Sequence, residues 1–305
     1  MSKYDPEIIF NPSELFIHTP MLDKLEKQLH HWLRTGLTGG LILGKYRTGK
    51  TRAIEYISNR LVNRKREKIP TNRITIAQRD VSTVASIFRN LCFALDIPLR
   101  QRATADDMAN YLTHYFAEQA LQNSTKQVVL IVDEMQRLKV NQINAFAELY
   151  DNLALVKLNM SIFFVGNLGS SQPLLETISQ DQYELIRGRF FTHVFDFNGI
   201  SRRTDVEHCL KEFDKLFTKY YLPRDYNKGW RLVSLGKTIW SIFESDYKRP
   251  LKLESWAMQY FIAAIRILLV DYLPKFDITD PQAIEEMIAA SIDASGIRSN
   301  LVIAA

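Results

Sequence analysis

Eight consecutive residues have the types and spacing of a loop that binds phosphate groups. They are Gly44, Lys45, Tyr46, Arg47, Thr48, Gly49, Lys50 and Thr51, a full match to G-x-x-x-x-G-K-[ST]. The glycines let successive backbone N–H groups face phosphate oxygens, and the positive end of a following helix faces the same anion. Lys50 is predicted to reach the β- and γ-phosphates, and Thr51 to hold Mg²⁺ through its hydroxyl. A glycine-rich turn that matches by accident is the alternative.

Two carboxylates follow an apolar run that covers residues 128–132. An apolar strand that ends in two acids is the Walker B arrangement, in which the first acid lies beside the metal. Asp133 is therefore predicted to bind Mg²⁺, and Glu134 to orient or deprotonate the attacking water. Acids after a strand also cap helices. The phosphate loop earlier in the chain favours the Walker B interpretation.

Three further polar residues stand where an active site could use them. Asn167 follows the apolar run 162–165, and a polar side chain there can hold the attacking water near the γ-phosphate. A simple turn residue is the alternative for Asn167. Arg187 and Arg189 precede the last apolar run, and one of them is predicted to reach the γ-phosphate bound by a neighbouring subunit, as an arginine finger. Ordinary arginines at a helix C-terminus are the alternative for this pair, and the sequence does not choose between the two residues.

The pattern of apolar residues along the chain changes at about residue 198. Before it, short runs rich in Ile, Val and Phe alternate with amphipathic stretches, which is typical of buried parallel strands separated by helices. The predicted strands cover residues 41–43, 74–77, 128–132, 162–165 and 194–197. After Ile200 the apolar residues recur at helical spacing. The sequence therefore predicts an α/β nucleotide-binding domain over 1–198, with an N-terminal linker and a parallel sheet flanked by helices. A small helical domain is predicted over 199–305.

The composition is that of an ordinary globular protein with a small excess of positive charge. Of the 305 residues, 46% are hydrophobic and 24% are charged, which excludes a disordered or fibrous chain. The net charge of +5 permits an anionic partner. Cys92 and Cys209 have the spacing of neither a disulfide framework nor a zinc site. Because no signal peptide or membrane-length apolar segment is found, the expected location is the cytoplasm, without membrane contact.

The order of these parts resembles that of the AAA+ ATPases over nearly the whole chain. Within that superfamily, residues 43–51, 131–138, 164–167 and 187–190 look most like the TnsC/TniB family of transposition regulators. The resemblance implies ATP and Mg²⁺ as cofactors, hydrolysis of ATP to ADP and phosphate, and a lid role for the helical domain. One feature departs from the pattern. No clean Gly-x-x-Arg second-sensor motif is present, and Arg249-Pro250-Leu251-Lys252 is the nearest substitute.

Proteins of this family assemble with bound ATP as rings or helical filaments on double-stranded DNA. They connect a target-selection protein, such as TniQ, to the transposase, and hydrolysis permits disassembly. The resemblance implies the same partners and a homo-oligomer for this chain, without DNA cleavage of its own. The sequence agrees on one point, because no acidic triad or His cluster beyond the proposed ATP site suggests a nuclease.

Basic residues cluster on both sides of the second predicted strand. By analogy with AAA+ relatives, this region would face the central pore of a ring, where cations neutralise DNA phosphates without reading bases. Thr104 begins a predicted helix and offers a hydroxyl or a backbone N–H to a phosphate. A solvated polar loop over residues 63–68 is the alternative for part of the cluster. The predicted DNA contacts are Lys65, Arg66, Arg79, Arg89, Arg100, Arg102 and Thr104.

Three classes of function follow from these features. The sequence favours an ATP-dependent, DNA-binding regulator of transposition. A signalling or defence NTPase that never touches DNA is one alternative, although such proteins normally carry appended sensor or repeat domains. A replication initiator or helicase loader is the other, although no convincing helix-turn-helix follows Ile200.

Overall fold

The computed structural model describes residues 5–78, 83–276 and 278–298, and the chain divides into two compact units. We call Lys24–Lys45 together with Lys50–Phe197 the sheet unit. We call Met1–Asp23, Tyr46–Gly49 and Asn198–Ala305 the helical unit. Each unit contains a cluster of buried apolar side chains of its own.

A five-stranded parallel sheet forms the centre of the sheet unit. Its strands are β1 (Gly39–Gly44), β2 (Thr71–Thr75), β3 (Gln127–Asp133), β4 (Asn159–Asn167) and β5 (Val194–Asp196), in the order β2-β3-β4-β1-β5. Every residue of β3 is buried, in agreement with the apolar run over residues 128–132 within it. The predicted strands overlap these five. The second was predicted too late in the chain, because β2 lies at an edge of the sheet and includes the polar residues Asn72 and Arg73.

Helices cover both faces of the sheet. The helices of this part of the chain are α1 (Pro20–Thr35), α2 (Lys50–Ser58), α3 (Val84–Ala94), α4 (Ala105–Ala120), α5 (Val140–Leu155), α6 (Leu168–Ile178) and α7 (Glu184–Phe190). Trp32 of α1 stacks on Phe163 with ring centroids 5.7 Å apart, whereas Phe146 of α5 meets Phe164 edge to face at 5.4 Å. Neighbouring residues of a strand face opposite sides of a sheet, so α1 and α5 lie on opposite faces. The predicted α/β class with a parallel sheet between helices is confirmed.

The helical unit is built around a cluster of buried apolar side chains that includes one stacked aromatic pair. Its helices are α8 (Arg203–Phe213), α9 (Lys219–Tyr221), α10 (Pro223–Asn227), α11 (Gly236–Phe243), α12 (Met258–Ile267) and α13 (Pro281–Ala294), and π-helical turns continue α8, α11 and α12. Trp256 lies flat against Phe243, with ring centroids 4.2 Å apart. Helical spacing of apolar residues begins at Leu253, but α12 starts only at Met258. The reason is that Trp256 forms a β-bridge with Ile200.

The two cysteines are buried, and neither forms a disulfide. Burial raises the pKa of the Cys92 thiol to about 11, so the thiol stays protonated and poorly reactive near neutral pH. Among the residues that the structure describes, no helix is both long enough and apolar enough to cross a bilayer.

Candidate nucleotide-binding site

Three of the predicted site elements end at the same edge of the sheet. Gly44 at the end of β1 is in register with Asn167 at the end of β4, and β3 ends at Asp133 beside β4. The carboxyl ends of parallel strands form the usual ligand-binding edge of an α/β sheet. The fold therefore brings together the phosphate loop, the Asp133-Glu134 pair and Asn167, which are up to 123 positions apart in the sequence.

The two glycines of the phosphate loop are required for different reasons. Gly49 has φ +97°, a left-handed conformation that side chains with a Cβ rarely adopt. Gly44 lies against backbone, and a Cβ there would stand 2.0 Å from the carbonyl oxygen of Phe197. Arg47 also has a positive φ of 63°, so the loop bends sharply before α2 begins at Lys50.

The ammonium group of Lys50 lies inside this loop. Its Nζ donates hydrogen bonds to the carbonyl oxygens of Gly44, at 2.8 Å, and Lys45, at 2.7 Å. Burial lowers the pKa of Lys50 to about 8, although attraction to Asp133 and Glu134 acts in the opposite direction. Because nearby carboxylates do not fully offset the cost of burying this ammonium group, an anionic ligand whose oxygens contact it would stabilise its charged form.

Thr51 and Asp133 lie next to each other, 82 positions apart in the sequence. The Thr51 hydroxyl donates to Oδ2 of Asp133 at 3.0 Å, while Oδ1 of Asp133 accepts from the backbone N–H of Glu134 at 2.9 Å. Asp133 is only 3% exposed. A hydroxyl and a buried carboxylate in contact provide two oxygen ligands of the kind Mg²⁺ prefers, so these residues fit the predicted metal.

Glu134 is held by two side chains that the sequence analysis did not single out. Its Oε2 accepts a hydrogen bond from Nε2 of Gln136 at 2.8 Å and lies 3.1 Å from Nη2 of Arg137. The backbone of Glu134 is left-handed, with φ 62°, an uncommon conformation for a residue with a side chain. Gln136 and Arg137 lie two and three residues after Glu134 in a 3₁₀ turn, a spacing that is visible in the sequence.

Asn167 is linked to this group through Gln136. The backbone N–H of Asn167 donates to Oε1 of Gln136 at 3.2 Å, so Gln136 bridges Asn167 and Glu134. The side-chain oxygen of Asn167 accepts from the backbone N–H of Ser170 at 2.9 Å and caps α6. The structure thus gives Asn167 a helix-capping role, and its predicted role toward water stays a prediction.

The two predicted finger arginines both lie on α7 but have different partners. Nη1 of Arg189 is 2.8 Å from Oδ2 of Asp151, and its guanidinium lies over the ring of Tyr150. Arg187 instead donates to the backbone carbonyl of Ser179. A carboxylate and an aromatic ring of the same subunit therefore hold Arg189, whereas Arg187 has only a carbonyl partner among the described residues.

The middle of the phosphate loop contacts the start of α12. The carbonyl of Arg47 accepts from the backbone N–H of Gln259 at 3.1 Å, and the Arg47 guanidinium donates to the hydroxyl of Tyr260. Tyr46 is 58% exposed, whereas Thr48 is buried. The contacts of Gln259 and Tyr260 could not be predicted, because nothing in the local sequence pattern indicates a contact 213 positions away. The substitute second-sensor segment, residues 249–252, lies between the π-helical Glu244–Lys248 and α12, and its two basic residues, Arg249 and Lys252, are exposed.

The predicted DNA contacts lie on separate segments. Arg89 is exposed on α3, and Arg100 and Arg102 are exposed in the α3–α4 connection. Thr104 follows them and caps α4, where it forms a capping box with Asp107. Lys65 and Arg66 are exposed before β2, at the other end of the strands from the phosphate loop. Arg79 lies outside the described residues.

The turn that carries Lys65 and Arg66 is ordered by its own hydrogen bonds. Oδ1 of Asn63 accepts from the backbone N–H groups of Lys65, at 2.8 Å, and Glu67, at 3.0 Å. The carboxylate of Glu67 accepts from Asn63 and from the backbone and hydroxyl of Ser124. These hydrogen bonds lower the pKa of Glu67. The only carboxylate in this turn is thus occupied, and both cations remain exposed.

Comparison with known proteins identifies the fold. Residues 35–174 match the family model described as AAA domain. Drosophila ORC bound to DNA is similar in structure, with a TM-score of 0.56 and 15% sequence identity over 98% of this chain and 70% of that chain. The Aeropyrum pernix ORC2 protein in ADPNP-ADP complexes has a TM-score of 0.55 and 12% identity over 92% of this chain and 70% of that chain. Cdc6p from Pyrobaculum aerophilum, at 16% identity over 94% of this chain and 84% of that chain, has a TM-score of 0.49.

None of the curated proteins matches the chain. The TnsC/TniB family is therefore not confirmed by any of these comparisons. The AAA domain match covers the phosphate loop, β2, β3 and β4. Together with the strand order and the position of the phosphate loop, this similarity to AAA domains over residues 35–174 shows that the chain has the fold of the AAA+ P-loop ATPases.

Proposed function

We propose that the chain is a Mg²⁺-dependent ATPase that assembles on double-stranded DNA when ATP is bound. The observation that carries the proposal is the grouping of Lys50, Thr51, Asp133 and Glu134 at one edge of the sheet. These residues supply a phosphate-binding cation, two metal ligands and a carboxylate that can accept a proton.

Each residue has a distinct role in this proposal. Lys50 binds the β- and γ-phosphates, and the backbone N–H groups of residues 44–51 surround them. Thr51 and Asp133 hold Mg²⁺, which neutralises phosphate charge when bound. Glu134 orients the attacking water and takes its proton. Gln136 keeps the Glu134 carboxylate in place while it does so.

We further propose that neighbouring subunits complete the site and together bind DNA. Arg187 is the preferred finger, because Arg189 is held by Asp151 and Tyr150 of its own subunit. Exposed cations before β2, on α3 and in the α3–α4 connection would contact DNA phosphates without reading bases. Their proposed set includes Lys65, Arg66, Arg89, Arg100 and Arg102.

Two cellular roles are compatible with such an assembly. Structural similarity to Drosophila ORC bound to DNA supports the class of replication initiators and helicase loaders, and we place that role first. The motif segments 43–51 and 131–138 support the second candidate, a transposition regulator that links a target-selection protein such as TniQ to a transposase. Both roles require ATP-controlled binding of duplex DNA, and they differ in which DNA and which protein partner are chosen.

Electron microscopy with duplex DNA and a slowly hydrolysed ATP analogue tests the proposal. Ordered rings or filaments are expected with the analogue and not without nucleotide. Lys50→Ala is expected to abolish nucleotide binding and assembly together. A chain that stays monomeric and free of DNA under every nucleotide condition would contradict the proposed function.

The same preparation separates the two cellular roles. A transposition regulator is expected to cover DNA of any sequence with a regular repeat, whereas an initiator is expected to form discrete complexes that prefer particular DNA. Competition between origin-derived and random duplexes of equal length measures this preference. Equal competition by both duplexes would contradict the initiator role.

A further inference from the structure

A cavity of about 510 Å³ lies at the edge of the sheet opposite the phosphate loop. It is formed where the chain enters three strands, and it is lined by residues 33–38 before β1, by Thr125 and Gln127 at the start of β3, and by residues 157–161 at the start of β4. The strands separate it from the proposed nucleotide site by about 20 Å, because each residue of a strand advances the chain by roughly 3.3 Å. None of the residues assigned to that site lines it.

The rim of the cavity is cationic. Arg34, Arg64 and Lys157 line it, all three are exposed, and no carboxylate residue is among the lining residues. Nε of Arg64 donates to the backbone carbonyl of Arg34 at 2.7 Å. Within the described residues, none of the three cations forms an ion pair with a carboxylate.

The buried part of the cavity lining includes apolar side chains. Leu33, Leu158 and Met160 are at most 7% exposed and lie beside the buried polar residues Gln127 and Ser161. Leu155 and Val156 precede Lys157 and are 81% and 58% exposed. Two adjacent exposed apolar side chains beside a cavity form a surface on which a partner can bury apolar area.

Two helix C-termini at the cavity affect which kind of anion can bind there. α1 ends at Thr35, which lines the cavity, and α5 ends at Leu155, directly after the lining residue Ala154. Helix C-termini carry partial negative charge, so a compact phosphate inside the cavity would be repelled. A ligand with several carboxylates can instead place them along the cationic rim. An apolar group of the same ligand can then contact the apolar side chains inside the cavity.

Duplex DNA matches the cavity less well than a peptide does. Its phosphates lie on the outside of a stiff rod, and its apolar bases are stacked within the duplex. A flexible peptide can place one side chain in the cavity and its charged neighbours at the rim. The volume is within the range of pockets that hold small ligands or anchoring side chains.

We propose that this cavity binds an acidic segment of a partner protein. One large apolar side chain of the segment enters the cavity and packs on Leu33, Leu158 and Met160. Flanking carboxylates pair with Arg34 and Lys157 and with the free part of the Arg64 guanidinium. None of the residues assigned to the proposed ATPase and DNA contacts lines the cavity, although Lys65 and Arg66 directly follow Arg64 in the chain. Peptide binding can therefore be tested without relying on either of those contacts.

Fluorescence anisotropy of a labelled probe peptide tests the proposal with the full chain. The probe is a capped hexapeptide with one Phe among five Asp and Glu residues, and the comparison peptide has Asn and Gln instead of the acids. Binding of the acidic probe is expected, with a loss of at least tenfold in affinity for the comparison peptide. Arg34→Ala and Lys157→Ala are each expected to weaken binding about threefold to tenfold, which is the range for loss of one exposed or partly desolvated charge contact.

Two further variants make the test specific to the cavity. Ala154→Phe is expected to abolish binding, because the new ring occupies the mouth of the cavity without touching the charges. Lys27→Ala removes an exposed cation of α1 that does not line the cavity, and unchanged probe binding is expected. A thermal denaturation midpoint measured on each variant verifies that the protein is folded.

Several outcomes would overturn the proposal. They are no binding of the acidic probe, equal binding of the neutral peptide, and full binding to the Arg34→Ala, Lys157→Ala double variant. A fourth is displacement of the probe by a 20-base-pair duplex, accompanied by loss of DNA affinity in the same variants. That result would assign these cations to the DNA-binding surface.

Discussion

The charge on Lys50 is expected to depend on what the phosphate loop holds. Without an anion the ammonium has carbonyl partners and a pKa of about 8, well below that of an exposed lysine. Phosphate oxygens would stabilise the charged form and raise this pKa. At pH values above the pKa of free Lys50, nucleotide binding should therefore be accompanied by protonation of Lys50.

Proton uptake on binding is the first prediction at the residue scale. At pH 9, a group with a pKa of about 8 is roughly nine-tenths deprotonated, so ATP binding should take up as much as about 0.9 proton. ATP affinity should fall as the pH rises above 8, since more of the free protein must then be protonated. Calorimetry in two buffers of different ionisation enthalpy measures the uptake. An uptake near zero at pH 9 would contradict a Lys50 pKa that is lowered in the free protein and raised by bound ATP.

The carboxylate of Glu134 provides a second prediction. Glu134→Gln keeps the size of the side chain but removes its ability to take a proton, so the hydrolysis rate should fall by roughly 10² to 10⁴. ATP binding should persist, because Lys50, Thr51 and Asp133 are unchanged. Single-turnover hydrolysis and nucleotide affinity, measured on the same preparation, separate the two effects. A normal rate would remove Glu134 from this role.

Gln136 should act through Glu134 rather than on ATP directly. Gln136→Ala removes the hydrogen bonds to Oε2 of Glu134 and to the backbone of Asn167, and kcat should fall about tenfold as the carboxylate loses its orientation. KM for ATP should not change. Gln172→Ala is a matched control, since Gln172 is exposed on α6 and bonds only to Glu176 among the described residues. A rise in KM with unchanged kcat would contradict the positioning role.

Among the secondary-structure elements, the end of β1 leaves the least space for a side chain. Gly44 leaves no room for a Cβ beside the Phe197 carbonyl, so Gly44→Ala must move β5 or the phosphate loop. We expect a loss of about 2 kcal/mol in the free energy of unfolding, together with loss of nucleotide binding. Gly188→Ala is the control, because apart from its chain neighbours and the backbone of its own helix no atom lies within 4 Å of its Cβ position, and α7 gains a better helix former. Denaturant midpoints compare the two, and equal midpoints would contradict the steric argument.

The strands and the phosphate loop could be predicted because their signals are local. Up to five apolar residues in a row indicate a buried strand, and a glycine pattern between such a strand and a helix indicates a phosphate site. The edge strand β2 was predicted only in part, since its polar residues face a less buried environment. Contacts such as Arg47 with Tyr260 depend on how distant segments pack, and periodicity carries no information about them.

At the scale of the whole molecule, the arginine finger can be identified by mixing subunits. Arg187→Ala and Arg189→Ala should both lower ATP hydrolysis, but only the finger variant should recover when mixed with Glu134→Gln subunits, which supply an intact arginine. We expect recovery for Arg187→Ala alone. Arg189→Ala should instead lose stability, as Asp151 and Tyr150 lose their partner. Recovery of Arg189→Ala and not of Arg187→Ala would reverse the assignment.

DNA binding should depend on salt according to the number of phosphate contacts. Each cation that neutralises a phosphate contributes about 0.9 to the slope of log affinity against log salt, so the Arg100→Ala, Arg102→Ala double variant should reduce the slope by about 2. Lys237→Ala, which removes an exposed cation of α11, should leave the slope unchanged. Fluorescence titrations at several salt concentrations give these slopes. An unchanged slope in the double variant would exclude both arginines from the DNA contact.

The cavity and the phosphate loop occupy the two ends of the same strands, so their ligands have no reason to compete for space. Both ends can be filled at once, and β1 and β4 run directly from one ligand to the other. If a bound peptide raises the affinity for ATP by some factor, bound ATP must raise the affinity for the peptide by the same factor. The affinity of a partner protein for the cavity would then depend on whether nucleotide is bound at the other end of the strands, without any direct contact between the two ligands.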